Sequence, residues 1–256
     1  MAYTEISRDF LIEVARGNVP GHSLVHKFGR NANVPNGTFE GVTQLSESFN
    51  FLTAASTVRI KAGGDAADTA AGAGAQSITI EGLDNTGAFA TETIATAGVS
   101  ASSVTSTSFW RVFRAYVGDG GCGTYGAANT ANIVIENGTG GTNLIMIAIE
   151  EGQSQYGAYA IPLGKTGYLL SVKVQADGSK AADFKLCTRN NLTDFTTPFS
   201  PNRIKFYWDG VLGSDTLNPN SPLLSMSALT DIWVEAAGGG AQTEVSIDFE
   251  ILLVDD

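Results

Sequence analysis

Histidine, cysteine and charge are all scarce in this chain. Of 256 residues, two are histidine, two are cysteine and 16% are charged. With only His22 and His26, a Ser-His-Asp or Cys-His scheme has little to draw on. Those two lie four apart but are flanked by Pro20, Gly21 and Gly29. They lack the further ligand that zinc requires, so no metal site is expected. Cys122 and Cys187 cannot build a cysteine-only metal site, and their placement implies no disulfide. Long apolar runs are missing too. The longest, at 144–149 and 251–254, fall far short of the roughly 20 residues of a membrane helix. The first sixteen residues carry acids and bases instead of an apolar leader core, so synthesis in a cytosol without conventional export is expected.

What is abundant is glycine, 30 residues, within a chain that is 43% hydrophobic. From about residue 41 onward, short alternating runs are separated by clusters of Gly, Asn, Asp and Ser. Residues 77–83 alternate, Asp84 to Gly87 turn, and 89–94 alternate again, which is a hairpin pattern. Residues 109–117 and 132–136 read as further strands. Residues 62–75 are small and patternless, so they read as a long loop. A second series follows at 168–174, 184–188, 203–208, 231–236 and 245–254, broken by a Pro-rich stretch at 218–222. The pattern predicts an all-β protein, a β-sandwich of jelly-roll type. Its expected parts are an N-terminal arm at 1–40, a first β region at 41–152 and a second at 153–256. The second, richer in bulky alternating residues, is expected to hold the structural core.

The arm stands apart in composition. Thr4 can cap a short helix presenting Ile6, Phe10 and Val14 on one face, ended by Gly17 and Pro20. An extended stretch follows. Residues 1–40 hold four acids and four bases, so the remaining chain carries the whole net charge of −11. An acidic body repels nucleic acid and anionic membranes, and neither is expected as a partner. The neutral arm suits docking on an acidic neighbour. Phe10, Val14, His22, Leu24, His26, Phe28 and Arg30 are its candidate partner-binding residues. It is expected to serve assembly and not folding.

Chemical motifs fail on inspection. Gly164-Lys165-Thr166 mimics the end of a phosphate-binding loop, but Tyr159 stands where the first glycine belongs. Gly118 to Gly123 spells a dinucleotide fingerprint with no helix behind it. Carboxylates such as Asp65, Asp68, Asp183, Glu150 and Glu151 read as solvated surface charge. Trp110, Trp208 and Trp233 could stack on sugar, although each lies in or beside an alternating run where core packing competes. No catalytic residue and no cofactor are expected.

Several segments in order along the chain resemble a family of tailed-phage virion structural proteins. They are 21–30 (Gly-His-Ser-Leu-Val-His-Lys-Phe-Gly-Arg), 80–84, 88–94, 159–168 (Tyr-Ala-Ile-Pro-Leu-Gly-Lys-Thr-Gly-Tyr) and 244–254. The resemblance implies a non-enzymatic virion protein made in the host cytoplasm, foremost a capsid decoration or cement protein. Its implied partners are the major capsid protein or other virion proteins, and further copies of itself as a trimer or dimer. A tail or baseplate component with a receptor- or glycan-binding sandwich is the alternative. A carbohydrate-binding or carbohydrate-active protein is the third reading.

Overall fold

A computed structural model describes residues 9–118, 128–192, 203–217 and 224–256. Thr4, Ile6, Cys122, most of the Gly118 to Gly123 fingerprint and the Pro-rich break at 218–222 lie outside them. The described residues form one short helix and sixteen strands. In chain order these are α1 (Phe10–Ala15), β1 (His22–Val34), β2 (Glu40–Gly41), β3 (Val58–Ile60), β4 (Ser77–Asp84), β5 (Phe89–Ala95), β6 (Phe109–Val117), β7 (Ile133–Asn137), β8 (Asn143–Ile147), β9 (Ala158–Ala160), β10 (Lys165–Ala176), β11 (Ala182–Arg189), β12 (Arg203–Val211), β13 (Ser214–Leu217), β14 (Leu224–Met226), β15 (Asp231–Gly238) and β16 (Thr243–Asp255). The protein is all-β and its sheets are antiparallel. They number four, in a propeller-like arrangement where a two-layer sandwich was expected.

Two five-stranded sheets make up the body. One runs β1-β16-β10-β13 with β14 also on β10; the other runs β12-β11-β15-β2 with β9 also on β15. Alternation fixes the faces. Along β16, Val245, Ile247, Phe249, Ile251 and Leu253 point into the core while Ser246, Asp248 and Glu250 do not. Val172 and Val174 of β10 pair with Phe249 and Ile247, and Phe184 and Leu186 of β11 join the same core.

The expected arm is extended, but it is not separate from the body. β1 pairs with β16 from His22↔Val254 to Asn31↔Val245, and Lys27, Asn31 and Val34 are buried. Residues 22–34 are therefore an edge strand of the body, and only α1 projects from it. That helix is six residues long, and its cap is Asp9, whose carboxylate accepts the Leu11 N–H at 2.9 Å.

The first β region proves to be an insertion into one strand. Along β15, Asp231, Ile232 and Trp233 pair with Ala160, Tyr159 and Ala158, while Glu235 and Ala236 pair with Gly41 and Glu40. β2 and β9 are thus two halves of a single edge, and residues 42–157 loop out between them. The ends of the loop meet, because Gly157 N–H donates to Val42 O at 2.9 Å. β1 crosses this junction at Gly29. A Cβ there would lie 2.4 Å from Val42 O and 2.5 Å from Gly157 N, so glycine is required.

The insertion carries two three-stranded sheets, β3-β7-β8 and β5-β4-β6. The predicted hairpin is β4–β5. Asp84 shapes its turn by accepting the N–H groups of Thr86 and Ala88, and Gly87 turns with φ +85°. The insertion has a full apolar core: Ile78, Ile80, Leu83, Phe109, Ile135, Ile145 and Ile147 are wholly buried. The small-residue loop is held by Asp68, which is buried and not solvated. It accepts N–H groups from Ala75, Thr130 and Ala131 at 2.8 to 3.1 Å.

Candidate partner-binding face

Period-two geometry brings together most of the residues picked out in the arm. His22, Leu24, His26, Phe28 and Arg30 share the outward face of β1, opposite Val254, Leu252, Glu250, Asp248 and Ser246 of β16. α1 extends this face, with the Phe10 ring edge-on to His22 at 5.6 Å. Val14 does not belong to it. At 3% exposure it is the residue that seats the helix. Leu11 and Ile12, which are not among the residues expected from sequence, are exposed beside Phe10. Their signal was present as an unbroken apolar triplet at 10–12 in a chain where such runs are few.

The bases of this face are already engaged. Arg30 Nε donates to Glu244 at 2.7 Å, with Glu151 at 3.7 Å, and these carboxylates raise the guanidinium pKa. His26 Nε2 lies 3.3 Å from Asp248, and its ring packs on Phe28. What the face offers a neighbour is mainly apolar: Phe10, Leu11, Ile12 and Leu24.

Beneath it lies a joint that holds the insertion to the body. Lys27, on the inward face of β1, donates to Phe113 O of β6 and lies between the rings of Phe113 and Tyr156. Burial pulls its pKa down to about 7, with Arg114 adding to the drop and Glu81 opposing it. Farther along, fully buried Asp231 receives two guanidinium groups. Arg111 of β6 donates at 2.8 and 2.9 Å, and Arg189 of β11 at 2.5 and 3.0 Å. Arg111 also donates to Leu52 O, Trp110 O and Leu192 O. Phe51 lies across both arginines, 5.1 Å from one and 4.6 Å from the other. A cluster that is buried, bidentate and capped by a ring is built for cohesion. A cavity of about 10 Å³ beside it has room for about one water molecule.

The remaining candidates fall outside any site. Trp233 is buried and Trp208 nearly so. Trp110 is half-buried and donates to Asn85 O, so the three tryptophans form no platform. Cys187 is a buried free thiol whose pKa is pushed up to about 12 by burial. Gly164 turns into β10 with φ +77° and precedes a strand, so it cradles no phosphate. Among the described residues no group of three or more His, Cys, Asp or Glu is placed to hold a metal, and no helix is long and apolar enough to cross a membrane. Comparison with known proteins finds no match to the chain: no family model, no curated protein and no solved structure.

Proposed function

We propose that this chain is a non-enzymatic structural subunit of a tailed-phage particle, attached as a decoration protein through the α1–β1 face. The observation that carries the reading is the exposed strip of Phe10, Leu11, Ile12 and Leu24 beside a strand that belongs to the body. Exposed apolar residues grouped at one end of a rigid sheet fit a protein surface better than solvent. Repetition over a shell would add many such contacts without any one being strong. The partner is the major capsid protein or another virion protein, and the particle is where the protein resides.

Strand order supports a jelly-roll body. The first strand lies beside the last (β1, β16) and the second beside the next-to-last (β2 with β9, β15). The chain keeps crossing between the two sheets, as it does when a long hairpin is rolled up. Propeller blades are each built from consecutive strands. Among the described strands, β4–β5 and β7–β8 of the insertion and β11–β12 of the body pair consecutively, while every other pairing skips at least one strand, so the likeness to a propeller is one of outline.

The test is a double substitution, Phe10→Asp with Ile12→Asp, in the full chain. Both side chains are exposed, so the circular dichroism spectrum and melting temperature should hold. Binding to purified particles stripped of the protein should be lost. Full retention of binding would remove this face from the proposal. Absence of the protein from purified particles by quantitative mass spectrometry would remove the virion role itself.

A further inference from the structure

Among the described residues, the β12-β11-β15-β2 sheet is covered on its outer face over only part of its length. Near Asp231 and Trp233 the insertion lies over it through Phe51 and Arg111. Toward the other end the described residues leave the same face partly exposed, with Asp183, Lys185 and Glu235 half-buried and Tyr207 exposed. Register places Lys185 between Tyr207 on one side and Glu235 on the other, and Asp183 is two residues along on the same face. Tyr207, on the edge strand β12, is 51% exposed. Phe39 leads into β2 and stands over this patch. Its ring centroid is 3.3 Å from Lys185 Nζ and 6.3 Å from the Tyr207 ring, at an angle of 57°.

We propose that this partly exposed face, centred on Tyr207 with Phe39, Asp183 and Asp209, binds a neutral glycan. The ring of Tyr207 offers an apolar plate of the size of one pyranose, with a polar hydroxyl at its rim. Around it are acceptors for sugar hydroxyl groups. Asp183 takes the Gly210 N–H on Oδ1 at 2.7 Å, and its Oδ2 lies 3.5 Å from the Tyr207 hydroxyl, a long contact that a better donor can replace. Asp209 is exposed beside it. Carboxylates accept without donating, which suits hydroxyl donors. Charge selects the class of glycan. Asp183, Asp209 and Glu235 outnumber the two cations beside them, Lys185, whose ammonium rests on Phe39, and exposed Lys205, two residues before Tyr207, and the whole chain carries −11. Uronic, sulfated and sialylated sugars are therefore repelled. A second copy of this chain would bring the same acids against themselves, which disfavours self-association here.

This inference does not depend on the particle role, since the face lies on the other sheet from the α1–β1 strip. It is tested on the full chain by saturation-transfer NMR and calorimetry with maltohexaose, cellohexaose and laminarihexaose, and with oligogalacturonate as the acidic probe. At least one neutral hexasaccharide should bind saturably below about 10 mM, while the acidic probe should not. Tyr207→Ala should weaken that binding about tenfold or more, and Tyr207→Phe, which keeps the plate, should weaken it far less. The exposed side chain makes both variants safe for folding, checked by an unchanged melting temperature. Absence of binding by all three neutral sugars would overturn the proposal. So would equal binding by Tyr207→Ala, or a monomer–dimer equilibrium that Tyr207→Ala abolishes.

Discussion

In the body, the thirteen residues of β16 are hydrogen-bonded to β1 along one side and to β10 along the other. Among the described residues of the insertion no strand exceeds the nine residues of β6, and both sheets have three strands. The two regions bury comparable apolar cores yet hold their backbones differently. The body uses ladders. The insertion has shorter ladders and adds single polar side chains aimed at backbone N–H groups. Asp68 takes N–H groups from three residues, Glu92 takes those of Ser106 and Thr107, and Asn129 takes that of Gly152. Thr105, Ser102 and Ser154 each serve one strand N–H, those of Val58, Ile60 and Ala115. A Gly- and Ala-rich loop with no strand pattern can therefore be ordered, provided a few buried side chains meet its N–H groups.

The comparison breaks most sharply at the chain level. Starting the protein at Gly41 removes β1, uncovers one whole edge of β16 and deletes Val34 from the core. Such a truncation should fail to give a cooperative melt. Joining Val42 to Gly157 by a short Gly-Ser link removes the insertion at a point where its ends already touch. That variant should stay folded with a reduced melting temperature. If the outcomes were reversed, the insertion would be the folding unit and the body its dependant.

The joint comes next. Asp231→Ala removes the carboxylate that two buried guanidinium groups share and should cost about 3–5 kcal/mol, the usual penalty for breaking a buried ion cluster from one side. Urea unfolding should show the loss. If the cost proves below about 1 kcal/mol, the two arginines find water or other carboxylates when Asp231 is gone, and the joint is wetter than its burial suggests.

Much of this was legible in the sequence where alternation ran for six or more residues. β4, β5, β6, β10 and β16 sit where the pattern put them. β1 reads as an arm because residues 1–40 stand apart in charge and composition and a turn-rich stretch begins at Asn31; Gly29 is there for the junction, and Lys27 and Asn31 are buried polar groups. The split strand left no trace, since pieces of two and three residues carry no period. The alternating face of His22, Leu24, His26, Phe28 and Arg30 was visible, but the burial of Val14 depends on tertiary contact. Arg111, Arg189 and Asp231 were hidden as lone charges in or at the edge of apolar runs. Arg111, between Trp110 and Val112, is the one whose apolar flanks mark it in the sequence.

Asp68→Ala tests whether the loop is ordered from within. It removes the acceptor of three backbone N–H groups while leaving the apolar core untouched, and should cost roughly 1–3 kcal/mol. Hydrogen exchange should quicken at Ala75, Thr130 and Ala131 and stay unchanged in β16. Equal acceleration in both regions would mean that body and insertion unfold as one unit, and that the distinction drawn between them is only geometric.

Lys27 gives the smallest effect and the finest probe of the joint, because its charge is sensed only while β1 and β6 are packed together. In the unfolded chain its pKa is that of an ordinary lysine, about 10.4; in the folded protein burial lowers it to about 7, aided by Arg114 and opposed by Glu81. Between those values the unfolded chain holds one more proton than the folded one. Stability therefore rises with pH across that window, and below pH 7 the burial penalty is present in full. Lys27→Met fills the same space without a charge. The stability difference between the parent and this variant should move in the parent's favour by on the order of 1 kcal/mol per pH unit from about pH 7.5 to 9, read from urea midpoints at fixed ionic strength. It should be flat between pH 5.5 and 6.5. A difference that is level throughout would mean the ammonium reaches water at the junction, and that β1 and the insertion are less tightly apposed than Gly29 and Gly157 require.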